Sequence, residues 1–236
     1  MRRVILIVLL VVVLGPPIAR QPESRPPLPP SGFASALESR SNDRAAIGVF
    51  LVPLEPGEPL HLTTTHAGVW FDLDGDGIVD QVSWPERGAN VAFLAIDRNG
   101  DGRITSGSEL VGTVMQPRAR NAADALLTAF RETASAPSGS VHEGHALYDR
   151  LLLWNDRNAD GRSEPGELIK LRDRFTALGL GFRAVHWVDR DGNDIRFEGW
   201  LHTRNEGPRQ GEPTDAREEI ARRWRLFEVA LRTASR

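Results

Sequence analysis

Three times between residues 72 and 161 the sequence sets aspartate or asparagine at alternate positions and ends the alternation on glycine. The segments are Asp72-Leu73-Asp74-Gly75-Asp76-Gly77, Asp97-Arg98-Asn99-Gly100-Asp101-Gly102 and Asp156-Arg157-Asn158-Ala159-Asp160-Gly161, here loops A, B and C. Side chains of this kind hydrogen-bond the neighbouring backbone, and the glycines favour left-handed bends, so none of the three belongs inside a helix or a buried strand. They cut the chain into short regular segments joined by tight acidic loops. Asp156, Asp160, Glu164 and Glu167 also crowd four negative charges into loop C and the residues just after it, which is unfavourable until a cation neutralises them.

Calcium takes six to eight oxygen ligands, and a short loop supplies them when carboxylates alternate with turn residues around a sharp bend. Loop C meets the complete spacing. Asp156, Asn158 and Asp160 alternate before Gly161. Arg162 would add its backbone carbonyl, Glu164 stands where a ligand often acts through water, and Glu167 takes the place of the bidentate carboxylate. Leu151, Leu152 and Trp154 before the loop, and Leu168, Leu171 and Phe175 after it, have spacings that fit helices. Helices are therefore expected over residues 145–154 and 165–178, making loop C an EF-hand-type helix-loop-helix. The competing reading is a bare Asp/Asn/Gly turn, against which the four carboxylates of loop C weigh.

Loop B offers Asp97, Asn99, Asp101 and Thr105, but its twelfth position is Ser108 and the acid, Glu109, comes one residue later. Loop A offers Asp72, Asp74, Asp76 and Asp80 with Ser83 where the closing glutamate would stand, which suits a calcium-binding hairpin. A fourth turn, residues 189–194, lacks the sixth-position glycine and a terminal acid, and reads as a plain turn.

Around these loops the pattern predicts strands at residues 47–54, 91–96, 184–188 and 195–202, a hairpin over 68–84, and a helix over 121–133. A short helix is expected at residues 34–37. The tail reads as a helix over 214–223 followed by a strand. At the N-terminus Arg2 and Arg3 precede an unbroken apolar run, residues 4–14, shorter than the about 20 residues a spanning helix needs. Residues 1–19 thus read as an export signal or, uncleaved, a membrane anchor. Seven prolines between residues 15 and 30 make residues 20–44 an extended tether. Residues 45–236 are expected to form a single α+β domain of short strands, hairpins and EF-hand-type elements.

With no cysteine, metal ligation falls to oxygen and imidazole. A net charge of −3 gives no general field for nucleic acid. His142-Glu143-Gly144-His145 invites comparison with a zinc hydrolase, but the two histidines are not four residues apart on one helical face, and Gly144 favours a loop. No isolated acid pair, G-x-S-x-G or phosphate loop stands out, so catalysis is not expected.

The ordered series Gly68-Val-Trp-Phe-Asp-Leu-Asp-Gly-Asp-Gly, then Ala92-Phe-Leu-Ala-Ile-Asp-Arg-Asn-Gly-Asp-Gly with Ser108-Glu-Leu, then Leu153-Trp with residues 156–168, resembles bacterial exported EF-hand-like calcium-binding proteins. It is similar also to modules of large secreted adhesin-type and haemolysin-type proteins. The resemblance spans residues 60–197 and implies calcium binding and export. It departs at residues 138–145, where His142 and His145 stand in place of acids, at Thr105, which stands for Asp, and at Val111-Gly112, which stands for Phe-Gly. The expectation is an exported Ca2+-binding protein, periplasmic, extracellular or tethered to the cell envelope, with structural metal. The alternative is a calcium-dependent docking or adhesion module with a cell-surface protein partner.

Overall fold

Residues 91–96 are apolar at every position, a run that suits a strand covered on both faces. The computed structural model describes residues 46–133, 139–203 and 224–234. In it this run is strand β4 (Val91–Ile96), buried along its whole length. Strand β1 (Ile47–Pro53) pairs with it on one side and β6 (Leu151–Trp154) on the other. Beyond β6 lies β7 (Leu168–Lys170). Beyond β1 come β11 (Trp224–Leu231), β10 (Asp194–His202), β8 (Ala177–Gly179) and β5 (Ser140–His142), while β9 (Arg183–Val188) also pairs with β10. Every pairing in this sheet is antiparallel. A separate hairpin joins β2 (Val69–Phe71) to β3 (Asp80–Val82).

Alternation along the central strands produces two apolar layers. Phe50, Val52, Ala92 and Leu94 belong to one, which helix α1 (Ala122–Arg131) covers with Leu126 and Phe130. Val49, Leu51, Phe93 and Ala95 belong to the other, which the β2–β3 hairpin covers with Val69, Phe71 and Val82. Helix α1 starts where the Asn121 side chain accepts the Asp124 N–H at 2.8 Å. Glu228 of β11, fully buried, accepts the Ala123 N–H at 3.1 Å and so binds that first turn to the sheet. Burial pushes the Glu228 acid above its ordinary range, opposed by the N–H groups of Ala123 and Ala122.

The expected strands and hairpin appear as β1, β4, β9, β10 and β2–β3, the expected helix as α1, and the expected terminal strand as β11. The export signal or anchor, the Pro-rich tether and the helices foreseen at residues 34–37 and 214–223 lie outside the described residues.

The EF-hand-type α+β architecture is overturned, since the regular structure of the described residues is mostly antiparallel sheet and no helix directly flanks loop C. Residues 145–154 form a turn, a single 3-10 turn (Tyr148–Arg150) and then β6. Residues 165–178 form β7, a four-residue helix α2 (Leu171–Arg174) and the start of β8. The reason lies in β6. Leu151 and Leu153 join the α1 layer and Trp154 the hairpin layer, which only a strand achieves with consecutive apolar residues. Pairing with β4 then fixes the strand, and Trp154 faces Leu168 across the mouth of loop C.

Candidate metal centre

Loops A and C each join two paired strands, whereas loop B leaves β4 and returns through a 3-10 turn to an isolated bridge. Phe71 pairs Asp80 across loop A, Ala95 bridges Leu110 across loop B, and Trp154 pairs Leu168 across loop C. Counting the leading aspartate of each loop as position 1, the same three hydrogen bonds recur. The position-6 N–H reaches Oδ2 of position 1: Gly77 to Asp72 at 3.1 Å, Gly102 to Asp97 at 2.9 Å, Gly161 to Asp156 at 2.8 Å. The position-5 N–H reaches Oδ1 of position 3: Asp76 to Asp74 at 3.2 Å, Asp101 to Asn99 at 2.9 Å, Asp160 to Asn158 at 3.1 Å. The position-7 N–H reaches Oδ1 of position 5 at 2.8 Å in all three, from Ile78 to Asp76, Arg103 to Asp101 and Arg162 to Asp160. These bonds fix the side chains at positions 1, 3 and 5 of each loop and leave each with further acceptor capacity.

The closing acids of loops B and C also coincide in space. Glu167 accepts the Arg157 N–H at 3.2 Å and the Glu164 N–H at 3.3 Å, positions 2 and 9 of loop C. Glu109 accepts the Arg98 N–H at 3.3 Å and the Thr105 N–H at 2.9 Å, again positions 2 and 9, together with the Thr105 hydroxyl at 3.0 Å. The extra residue in loop B is absorbed by a 3-10 turn (Gly107–Glu109). Loop A has no such acid. Its twelfth residue, Ser83, is instead joined to the chain end, receiving the Arg232 N–H on its hydroxyl at 3.1 Å.

In loop A the carboxylates of Asp72, Asp74 and Asp76 each bring an oxygen within 4.8 Å of the others, a gathering of three acids unmatched among the described residues. Asp72 Oδ1 is buried there with no hydrogen-bond partner. Asp80 lies buried on β3. An unpaired buried carboxylate oxygen is costly, and a cation between the three acids would offset that cost. The donor set is therefore suited to a hard divalent ion.

The three loops touch. The Gly107 N–H of loop B donates to Asp72 O of loop A at 2.8 Å. Ile104 of loop B donates its N–H to Ser163 Oγ of loop C at 2.7 Å, and that hydroxyl donates back to Ile104 O at 3.3 Å. Both are the eighth residues of their loops. Trp84, the residue that follows loop A, donates from Nε1 to Asp156 Oδ2 of loop C at 2.8 Å. Burial pushes the Asp156 acid upward, opposed by the N–H groups of Gly161, Trp84 and Asp160 and reinforced by the Glu167 charge. Glu164, though exposed, is also raised, by local desolvation and then by the charges of Asp160 and Glu167.

Residues 55–215, which contain all three loops, match the SPM domain family. The chain belongs to that family. The iron-regulated protein FrpA of Neisseria meningitidis serogroup C is 29% identical over 142 residues, covering 60% of this chain and 12% of that protein. The matched stretch is thus a small part of that relative.

Other features of this SPM domain leave the centre as the three loops define it. The turn at residues 189–194 is closed on itself, with Asp189 accepting the N–H groups of Asp191 and Asn193 at 2.9 and 2.8 Å. His142 and His145 engage the hydroxyls of Ser140 and Thr133 at 2.9 and 3.0 Å. No described helix is long and apolar enough to cross a membrane. The sequence reading did not single out Trp84, Ser163 or Asn155, which is buried and donates to Ala89 O and Val91 O at 3.1 and 2.8 Å. No local motif marks them, because their partners are far away in the chain.

Proposed function

We propose that this chain binds calcium in loops A, B and C, and that the metal completes the fold of an exported protein. The observation that carries this reading is the buried, partnerless Asp72 Oδ1 within the trio Asp72, Asp74 and Asp76. Support comes from the hydrogen-bond net that loops A, B and C share, which aligns oxygens at the same three positions. Asp72, Asp74, Asp76 and Asp80 would serve loop A. Asp97, Asn99, Asp101, Thr105 and Glu109 would serve loop B. Asp156, Asn158, Asp160, the Arg162 carbonyl, Glu164 and Glu167 would serve loop C. Calcium there supplies charge neutralisation, and the side chains supply its shell. Export is inferred from the basic and apolar N-terminal run. Extracellular modules work at dissociation constants of about 10⁻⁴ to 10⁻³ M, a range open to loops that lack a full ligand set.

The test is thermal unfolding in excess chelator and in millimolar calcium. Calcium is expected to raise Tm, and Glu167→Gln to remove the part of that rise that loop C contributes. An unchanged Tm in calcium would refute the reading. A docking role draws support from Trp70, Ile78 and Val79, large apolar side chains exposed on and beside loop A. Pull-down of a cell-envelope protein in calcium and not in chelator would distinguish docking from metal binding alone. No catalytic role is proposed.

A further inference from the structure

The first residue past the twelve of loop A is Trp84, and it belongs to the core rather than to the loop. Its ring packs against Phe93 at 4.4 Å between centroids, Phe71 at 5.1 Å and Trp154 at 5.5 Å. A buried indole N–H has to find an acceptor, and this one is offered to a carboxylate of another loop, Asp156 Oδ2 at 2.8 Å. The same Oδ2 receives the Gly161 N–H at 2.8 Å, whereas Oδ1 receives the Asp160 N–H at 3.2 Å. Oδ2 thus accepts two hydrogen bonds and Oδ1 one, so the greater free acceptor capacity lies on Oδ1.

The equivalent aspartates are held differently. Asp72 Oδ2 takes the N–H of Gly77. Asp97 takes those of Gly102 and Gly100, the latter at 2.7 Å on Oδ1. These donors all come from the aspartate's own loop, whereas Asp156 is additionally gripped by a rigid side chain rooted beside the loop A hairpin. At the other end of loop C, Trp154 Nε1 points at Glu167 Oε2 across a longer 3.4 Å.

We infer that Trp84 is a positioning residue for calcium in loop C: its indole N–H occupies Asp156 Oδ2, so that Asp156 presents Oδ1 alone to the ion. The inference rests on the calcium reading above. Donors that orient a metal ligand typically contribute 10- to 100-fold in affinity. Trp84→Phe keeps an aromatic ring against Phe93 and removes only the donor and part of the ring. Loop C is then expected to bind calcium about 10- to 100-fold more weakly, with loops A and B unchanged.

The experiment is calorimetric titration of the full chain with calcium chloride, wild type against Trp84→Phe, with Glu167→Gln identifying the loop C step. In parallel, the Trp84 indole N–H resonance of the wild type is followed by NMR through the same titration. Selective weakening of the loop C step, with an indole resonance that moves as loop C fills, supports the inference. Equal weakening of every step, or an unaltered titration, overturns it. Should Trp84→Phe fail to fold, the wild-type resonance decides: a signal that stays fixed while loop C fills overturns the inference. A wild type that binds no calcium would overturn the calcium reading itself, and this inference with it.

Discussion

Loops B and C carry the same hydrogen-bond net around positions 1, 3 and 5, yet they are closed in different ways. In loop C the chain returns as strand β7, and Glu167 arrives at the twelfth position. In loop B it returns through a 3-10 turn that leans on loop A, and Glu109 arrives at the thirteenth. Both carboxylates nevertheless take the N–H groups of positions 2 and 9. Sequence spacing is therefore the adjustable quantity, and what the fold keeps is the place of an acid over two backbone amides.

The contrast is sharpest at position 11, glycine in both loops. A Cβ on Gly107 would lie 1.8 Å from Leu73 O, whereas one on Gly166 would meet nothing within 4 Å. Gly107→Ala is expected to cost about 3 kcal/mol, because backbone must move to admit the methyl group. For a chain of this size that lowers Tm by about 6–12 °C. Gly166→Ala is expected to be neutral or to stabilise by up to about 1 kcal/mol through the unfolded chain. Equal effects of the two substitutions in a denaturant series would break the account of loop B as a turn braced by loop A.

The next effect tests whether the two acids are equivalent in function as well as in place. Glu109→Gln and Glu167→Gln each keep an acceptor oxygen and remove a charge. Each is expected to remove about 2 kcal/mol of calcium-dependent stabilisation, a Tm difference of about 4–8 °C that vanishes in excess chelator. If only Glu167→Gln acts, the thirteenth-position acid holds the amides of loop B without contributing to the ion.

What was legible in the sequence divides along the same line. The acidic loops, the continuous apolar run of β4 and the amphipathic α1 announce themselves through local pattern, and the structure places each of these elements where the pattern does. The flanks of loop C misled because Leu151, Leu152, Leu153 and Trp154 suit a helix or a two-faced strand equally well. Long-range pairing with β4 decides between them, and no local window contains that pairing. The slipped spacing of Glu109 was visible, but its resolution by a 3-10 turn depends on contact with Asp72 of loop A. The indole of Trp84 and the hydroxyl of Ser163 were hidden for the same reason, with partners 72 and 59 residues away.

Position 4 gives the smallest and most discriminating difference. Gly75 and Gly100 occupy it in loops A and B with φ of 74° and 76°, while loop C puts Ala159 there at φ 50°. A left-handed conformation costs an L-residue with a Cβ about 1–2 kcal/mol. Gly100→Ala therefore faces that strain against an entropic gain of about 0.4–1 kcal/mol from the stiffer unfolded chain, and its new methyl would meet nothing within 4 Å. The expected result is a loss of about 1 kcal/mol. In loop C the methyl of Ala159 packs partly against the hairpin-side apolar layer, where each buried methylene-sized group contributes up to about 0.8 kcal/mol. Ala159→Gly relieves the strain but gives up that packing and loosens the unfolded chain, so the terms nearly cancel and stability should stay within about 0.5 kcal/mol of wild type. Chemical denaturation of both variants in chelator measures the difference without metal. A gain of 1 kcal/mol or more from Ala159→Gly would mean that the methyl contributes nothing and that loop C carries uncompensated strain. A near-zero value would mean that contact with the core, absent at Gly100, is what allows alanine at this position.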